Sequence, residues 1–175
     1  MSNVLFLGDA HLGHKSICKF RTKFRDEQDH FEHVENEYHK RVTKRDICYF
    51  MGDAVFTKDR AKQVKEWKGE KVLILGNHDT DSMTILELAD TFDKIYSLKK
   101  YKEFWLSHAP IHPNELRGKI NIHGHVHSAT VNDPRYFNTS LENTDFSLIS
   151  LLEIRNNVQK RLEYLKEYGY NGHML

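Results

Sequence analysis

Polar side chains able to bind metal recur directly behind short apolar runs. VLFL leads into Asp9 and His11, ICYFM into Asp53, and KVLIL into Asn77, His78 and Asp79, each set introduced by a glycine (Gly8, Gly52, Gly76). Further along, FWLS leads into His108, and INIH into Gly124, His125 and His127. Carboxylates, imidazoles and one amide oxygen, without a thiolate, form the ligand set of a catalytic divalent site rather than a cysteine-rich structural zinc site. Asp9, His11, Asp53, Asn77, His108, His125 and His127 are too many for one ion. They suit two ions about 3.5 to 4 Å apart, the spacing of metal-assisted phosphoryl chemistry. Asp9 and His11 flank one residue, as do His125 and His127, so on extended backbone each pair points one way. Glycines before Asp53, Asn77 and His125 let the chain turn sharply and keep bulk away from the ions.

These residues converge only if the runs before them share one sheet edge. VLFL, ICYFM and KVLIL are β-rich and near-continuous in hydrophobicity, as strands buried on both faces are. Between them, Phe31, Val34, Tyr38 and Val42, then Ala61, Val64 and Trp67, recur at helical spacing amid charge. Alternating strands and helices predict a parallel sheet with right-handed crossovers, whose strand-end loops form one ligand-binding edge. A third helix is expected over Met83 to Phe92. Shorter strands follow around Ile95 to Leu98, Phe104 to Ser107, Ile120 to Ile122 and Tyr136 to Leu141. A last helix spans Ser150 to Tyr168, capped by Gly169.

At 175 residues with no repeat or Pro/Gly linker, the chain is expected to be a single domain over 1–175. The net charge of +1 supplies no long-range field for nucleic acid. Cys18 and Cys48 are expected to be free thiols. No stretch approaches the roughly 18 apolar residues of a membrane span, and the start lacks signal-peptide character, which makes the cytoplasm the expected location.

In this order and at these strand ends, DAH (9–11), GD (52–53), GNHD (76–79), His108 and GHVH (124–127) resemble the DxH, GD, GNH(D/E), H and GHxH motifs of the calcineurin-like metallophosphoesterases. The resemblance implies an α/β fold of two packed mixed β-sheets flanked by helices. It implies that Asp9, His11 and His127 bind one ion, that Asn77, His108 and His125 bind the other, and that Asp53 bridges them. His78 would lie beyond the ions, touch substrate phosphate and protonate the leaving alkoxide, with Asp79 holding its ring. The chain is then expected to be a phosphoric ester hydrolase, a diesterase in preference to a monoesterase. It would use a hydroxide shared by two ions, manganese first, with iron, nickel or zinc also suited to the ligand set.

GHKSICKFRTKFR (13–25) is similar to a GHxxI…FR segment of small bacterial and phage members of that family. That marks His14 and Arg21 as candidate substrate contacts, arginine being suited to forked binding of phosphate oxygens. A nucleotide or other small phosphoester is the favoured substrate. A nuclease acting on nucleic-acid ends or single strands is the first alternative, disfavoured by the near-neutral charge. The second is a non-catalytic protein-binding scaffold, which has no need of a complete ligand set. His30 and His33 are expected at solvated helix positions, and His112 and His123 as neighbours of true ligands.

Overall fold

The computed structural model describes residues 2–167. A five-stranded sheet has the order β4-β3-β2-β1-β9, from Lys94–Tyr96, Glu70–Ile74, Ile47–Phe50, Val4–Leu7 and Ile149–Ser150. Its first four strands are parallel and β9 runs antiparallel to β1. A four-stranded sheet, β5-β6-β7-β8, comprises Leu98–Tyr101, Phe104–Ser107, Ile120–His123 and Tyr136–Asn138. The β5–β6 pair is antiparallel and the other two pairs are parallel. Helices α1 (Glu27–Arg41), α2 (Lys58–Lys65), α3 (Ile85–Thr91) and α4 (Leu151–Glu167) flank the sheets. The fold is the expected α/β arrangement of two packed mixed sheets flanked by helices.

The unbroken hydrophobicity of the first strands has a direct cause. Leu5, Leu7, Cys48, Phe50 and Leu73 pack with α1, α2 and α3, while Phe6, Tyr49, Met51, Val72 and Ile74 face the second sheet and α4. Every residue of such a strand after its half-buried first one is therefore inside. On α1, His30, Phe31, Val34 and Tyr38 form the buried stripe, so His30 belongs to the core rather than to the solvated positions expected of it. The ring of His33 bonds the Phe146 carbonyl oxygen at 3.0 Å.

Several boundaries differ from the sequence reading. The expected strand at Ile95 to Leu98 is two strands in different sheets, β4 and β5. Helix α3 is shorter than Met83 to Phe92, because Thr84 caps it through a reciprocal pair with Glu87, and Leu86 on it is 83% exposed. Strand β8 stops at Asn138, before a 3-10 turn at Leu141–Asn143. Strand β9 was not expected at all. Tyr168 and the Gly169 cap lie outside the described residues. Cys18 and Cys48 are free, and no helix among the described residues is long and apolar enough to cross a membrane.

Candidate metal centre

The loops after β1, β2, β3, β6 and β7 meet at one edge, stitched by backbone bonds from Asp9 N to Gly52 O, His11 N to Asp53 O and Gly124 N to His108 O. Gly8 bridges to Ser140 and so joins β1 to the segment after β8. Donor atoms of Asp9, His11 and His127 lie within 4.8 Å of one another, as do those of Asp9, Asp53 and His108. Asp53 Oδ2 is 3.9 Å from His11 Nε2 and 3.5 Å from His108 Nε2, between the two imidazoles. His108 Nε2 is in turn 3.0 Å from Asn77 Oδ1 and 3.1 Å from His125 Nδ1. The fold thus brings all seven candidate ligands together. His11 and His108 are nearly closed off from solvent, while Asn77 and His125 are exposed.

Local backbone bears the cost of this convergence. Asp9 (φ 50°), His11 (49°), Asp53 (50°), His125 (71°) and His127 (49°) all occupy the left-handed region. Side chains rarely adopt it, and such strain collects at functional sites. Tight packing supports the turns. A Cβ on Gly76 would sit 2.2 Å from Asp53 Oδ1, and one on Gly124 would sit 2.4 Å from Asp9 Oδ2. The bulk these glycines spare lies against the candidate ligand side chains themselves.

The chemistry of the donors fits a divalent cation. Asp9 Oδ1 and both ring nitrogens of His11 are shielded and lack a hydrogen-bond partner, an expensive arrangement for protein alone. His108 Nδ1 is 2.8 Å from the Met51 carbonyl oxygen, which can only accept, so Nδ1 carries a proton and Nε2 is the ring nitrogen turned toward the cluster. That nitrogen faces oxygens of Asn77 and Asp53. Oxygens and ring nitrogens converging in this way suit a cation, and a ring nitrogen turned back onto a carbonyl is how ligating histidines are oriented. Burial alone pushes the Asp53 carboxyl up. The adjacent His108 and the backbone N–H of His78 outweigh it and hold the group down to about 2, so it is ionised.

The supporting residues depart from expectation in two places. The Asp79 carboxylate is engaged elsewhere than on the His78 ring. It is fully buried and accepts from the backbone N–H groups of Gly76 (2.7 Å), Ala54 (2.8 Å) and Asp53 (3.1 Å), so it ties the third loop to the second. His78 is exposed, and its Nδ1 pairs with Asp81 Oδ2 at 2.7 Å. Arg21 is 2% exposed and does not face open space. Its Nη2 donates to the Asp9 carbonyl oxygen at 2.6 Å, its Nη1 to Ala10 O at 3.3 Å and His30 Nε2 at 2.9 Å, and its Nε to Glu142 Oε1 at 2.8 Å. The fork expected on phosphate is spent on the backbone of the loop that carries Asp9 and His11.

Glu142, absent from the sequence reading, also meets His127 Nδ1 at 3.3 Å. Burial pushes its carboxyl up, but the His127 bond and the Arg21 charge hold it down to about 2. Ser140 Oγ bonds Asp9 Oδ2 at 2.7 Å. His14 is half-buried beside His11, and its ring and that of His78 lie 5.0 and 6.1 Å from Phe56, which stacks on His11 at 4.9 Å.

No family model matches the chain. An uncharacterized protein of Methanocaldococcus jannaschii is 28% identical over 155 residues, 85% of this chain and 82% of that protein. A crystal structure of a protein of unknown function from Aquifex aeolicus aligns with a TM-score of 0.71 at 25% identity, covering 89% of this chain and 99% of that one. Pseudomonas putida nuclease MPE aligns at a TM-score of 0.48 and 18% identity, over 71% of this chain and 60% of that one.

Proposed function

We propose that the chain is a single-domain, metal-dependent phosphoesterase of the calcineurin-like kind, hydrolysing a nucleotide or other small phosphodiester. The observation that carries the reading is the convergence of Asp9, His11, Asp53, His108 and His127, with Asp9 Oδ1 and both ring nitrogens of His11 shielded and left without a hydrogen-bond partner among the described residues. Asp9, His11 and His127 would hold one divalent ion, Asn77, His108 and His125 a second, and Asp53 would serve both. Such a pair supplies Lewis acidity toward phosphoryl oxygens and an activated water.

The chain's own groups supply the rest. His78, steered by Asp81, carries a proton to the departing alkoxide, while His14 and Phe56 border the substrate's entry. Glu142 accepts from His127 Nδ1 and so directs Nε2 inward. Arg21 acts on the loop instead of the substrate, holding the Asp9 and Ala10 carbonyls so that the strained backbone keeps its geometry. The test is a panel of phosphate mono- and diesters, cyclic nucleotides and single-stranded oligonucleotides offered to manganese-loaded protein, with Asp53→Asn as control. Turnover of a small diester that Asp53→Asn abolishes supports the reading. Turnover confined to oligonucleotides would make the protein a nuclease, and none at all would leave a binding scaffold.

A further inference from the structure

Behind the loop that carries His125 and His127 lies a cavity of about 540 Å³ between the 130–134 segment, β8 and α4. That volume falls within the roughly 300 to 1,000 Å³ usual for small-ligand sites. Lys160 and Arg161 border it from α4, and Tyr136, Phe137 and Tyr164 supply aromatic surface. The Arg161 guanidinium is fixed 5.2 Å over the Phe137 ring, with Nη1 donating to Tyr136 O at 3.3 Å. The lining carboxylate, Asp133, is already taken by Arg135 through Nη2 at 2.7 Å and Nε at 3.0 Å. The charge offered to an occupant is therefore positive, beside aromatic surface. An anionic group on a flat ring matches both.

The floor adds a third requirement. His123 is fully buried, and its Nδ1 is 2.8 Å from the Gly124 carbonyl oxygen, so Nδ1 holds the proton. Its Nε2 is then a lone pair without a partner among the described residues. An acceptor there favours a ligand with N–H or O–H donors, as nucleobases and sugars have, over a bare inorganic anion.

We propose that this cavity binds a mononucleotide, with phosphate toward Lys160 and Arg161 and the base against the tyrosines. The proposal stands independently of the reaction at the metal centre, but the two places share structure. Asn138 and Asn143 both line the cavity, and both donate through Nδ2 to the carbonyl oxygen of His127, Asn138 at 2.8 Å. Ser140 Oγ lies 2.7 Å from Asn138 Oδ1 and 2.7 Å from Asp9 Oδ2. An occupant that engages those amides shares groups that seat His127 and Asp9, so nucleotide and metal affinity should be coupled, each changing the other equally.

Calorimetric titration of the full chain with a nucleoside monophosphate, its nucleoside and inorganic phosphate, each with and without chelator, tests this. Saturable binding of the nucleotide should survive chelation, exceed that of either fragment about tenfold or more, and weaken about tenfold in Arg161→Ala. Lys160→Ala, on an exposed helix position, should weaken binding without lowering the melting temperature of the ligand-free protein. Binding that disappears with chelator would belong to the metal centre. Equal binding of inorganic phosphate would reduce the cavity to an anion patch, and no saturation at millimolar nucleotide would mean no site. Each of these three results overturns the proposal.

Discussion

His78 Nδ1 lies 2.7 Å from Asp81 Oδ2, while the backbone N–H of the same histidine donates to Asp53 Oδ1 at 2.9 Å. The residue is thus tied by its main chain to the carboxylate between the candidate ligands and by its ring to a carboxylate in open solvent. Orientation of the ring comes from Asp81, and Asp79 braces the loops. His78→Ala should retain its metal and lose about 10² to 10⁴-fold in rate on an ester with a poor leaving group, and less on a p-nitrophenyl ester. Asp81→Asn should follow the same pattern with a smaller loss, about tenfold. Leaving-group dependence measured on the three proteins decides it, since equal losses on both esters would show that His78 holds phosphate instead of donating a proton.

Arg21 and Glu142 make an ion pair whose arginine side chain is fully enclosed. Removing one member of such a pair leaves an uncompensated buried charge, at a cost of about 3 to 5 kcal/mol. Arg21→Ala should therefore lower unfolding stability by about that much and reduce metal retention, and Arg21→Lys should recover only part, lacking the fork. Lys23→Ala, which gives up a contact over the Phe146 ring, should cost less than about 1 kcal/mol. Urea melts with metal analysis test this; an unchanged melt for Arg21→Ala would refute the clamp.

Acid should destabilise the protein through His30. Burial first, and then the Arg21 charge, push its imidazole down to about 3. The unfolded chain takes up that proton below about 6.5, so stability from this group is complete above that value and declines as pH falls toward the folded pKa. Between pH 7 and 4.5 the loss should be about 2 to 3 kcal/mol at about 1.4 kcal/mol per unit. His30→Gln keeps an acceptor for Arg21 but does not titrate, and its stability should be flatter over that interval. Parallel pH profiles for the two proteins would rule the mechanism out.

The strands that position the centre are legible in sequence because both of their faces are buried: Phe6 packs toward one core and Leu5 and Leu7 toward the other. Strand β5, LKKY, alternates exposed and half-buried residues and lacks that signature, and β9 is two residues long. The motif residues are legible for a related reason, since strand ends at one sheet edge must meet. Glu142 and Ser140 are not, lying 121 residues from Arg21 and 131 from Asp9, with no local pattern to mark them. Arg21 is legible as a cation beside the first motif, and so as a candidate phosphate contact, but the backbone carbonyls of Asp9 and Ala10 that it serves are visible only in the fold. His30 is a different case. Its spacing four residues before Val34 on α1 marks the buried face, a signal that the surrounding charge obscures.

The most direct measurement is hydrolysis of bis-(p-nitrophenyl) phosphate by the same protein before chelation, after chelation and after return of manganese, with bound metal counted at each stage. The expected result is loss of activity in step with metal, recovery on reconstitution, and neither full metal content nor activity in Asp53→Asn. Undiminished hydrolysis by protein from which every divalent ion has been removed would contradict a metal-dependent centre at Asp9, His11, Asp53, His108 and His127.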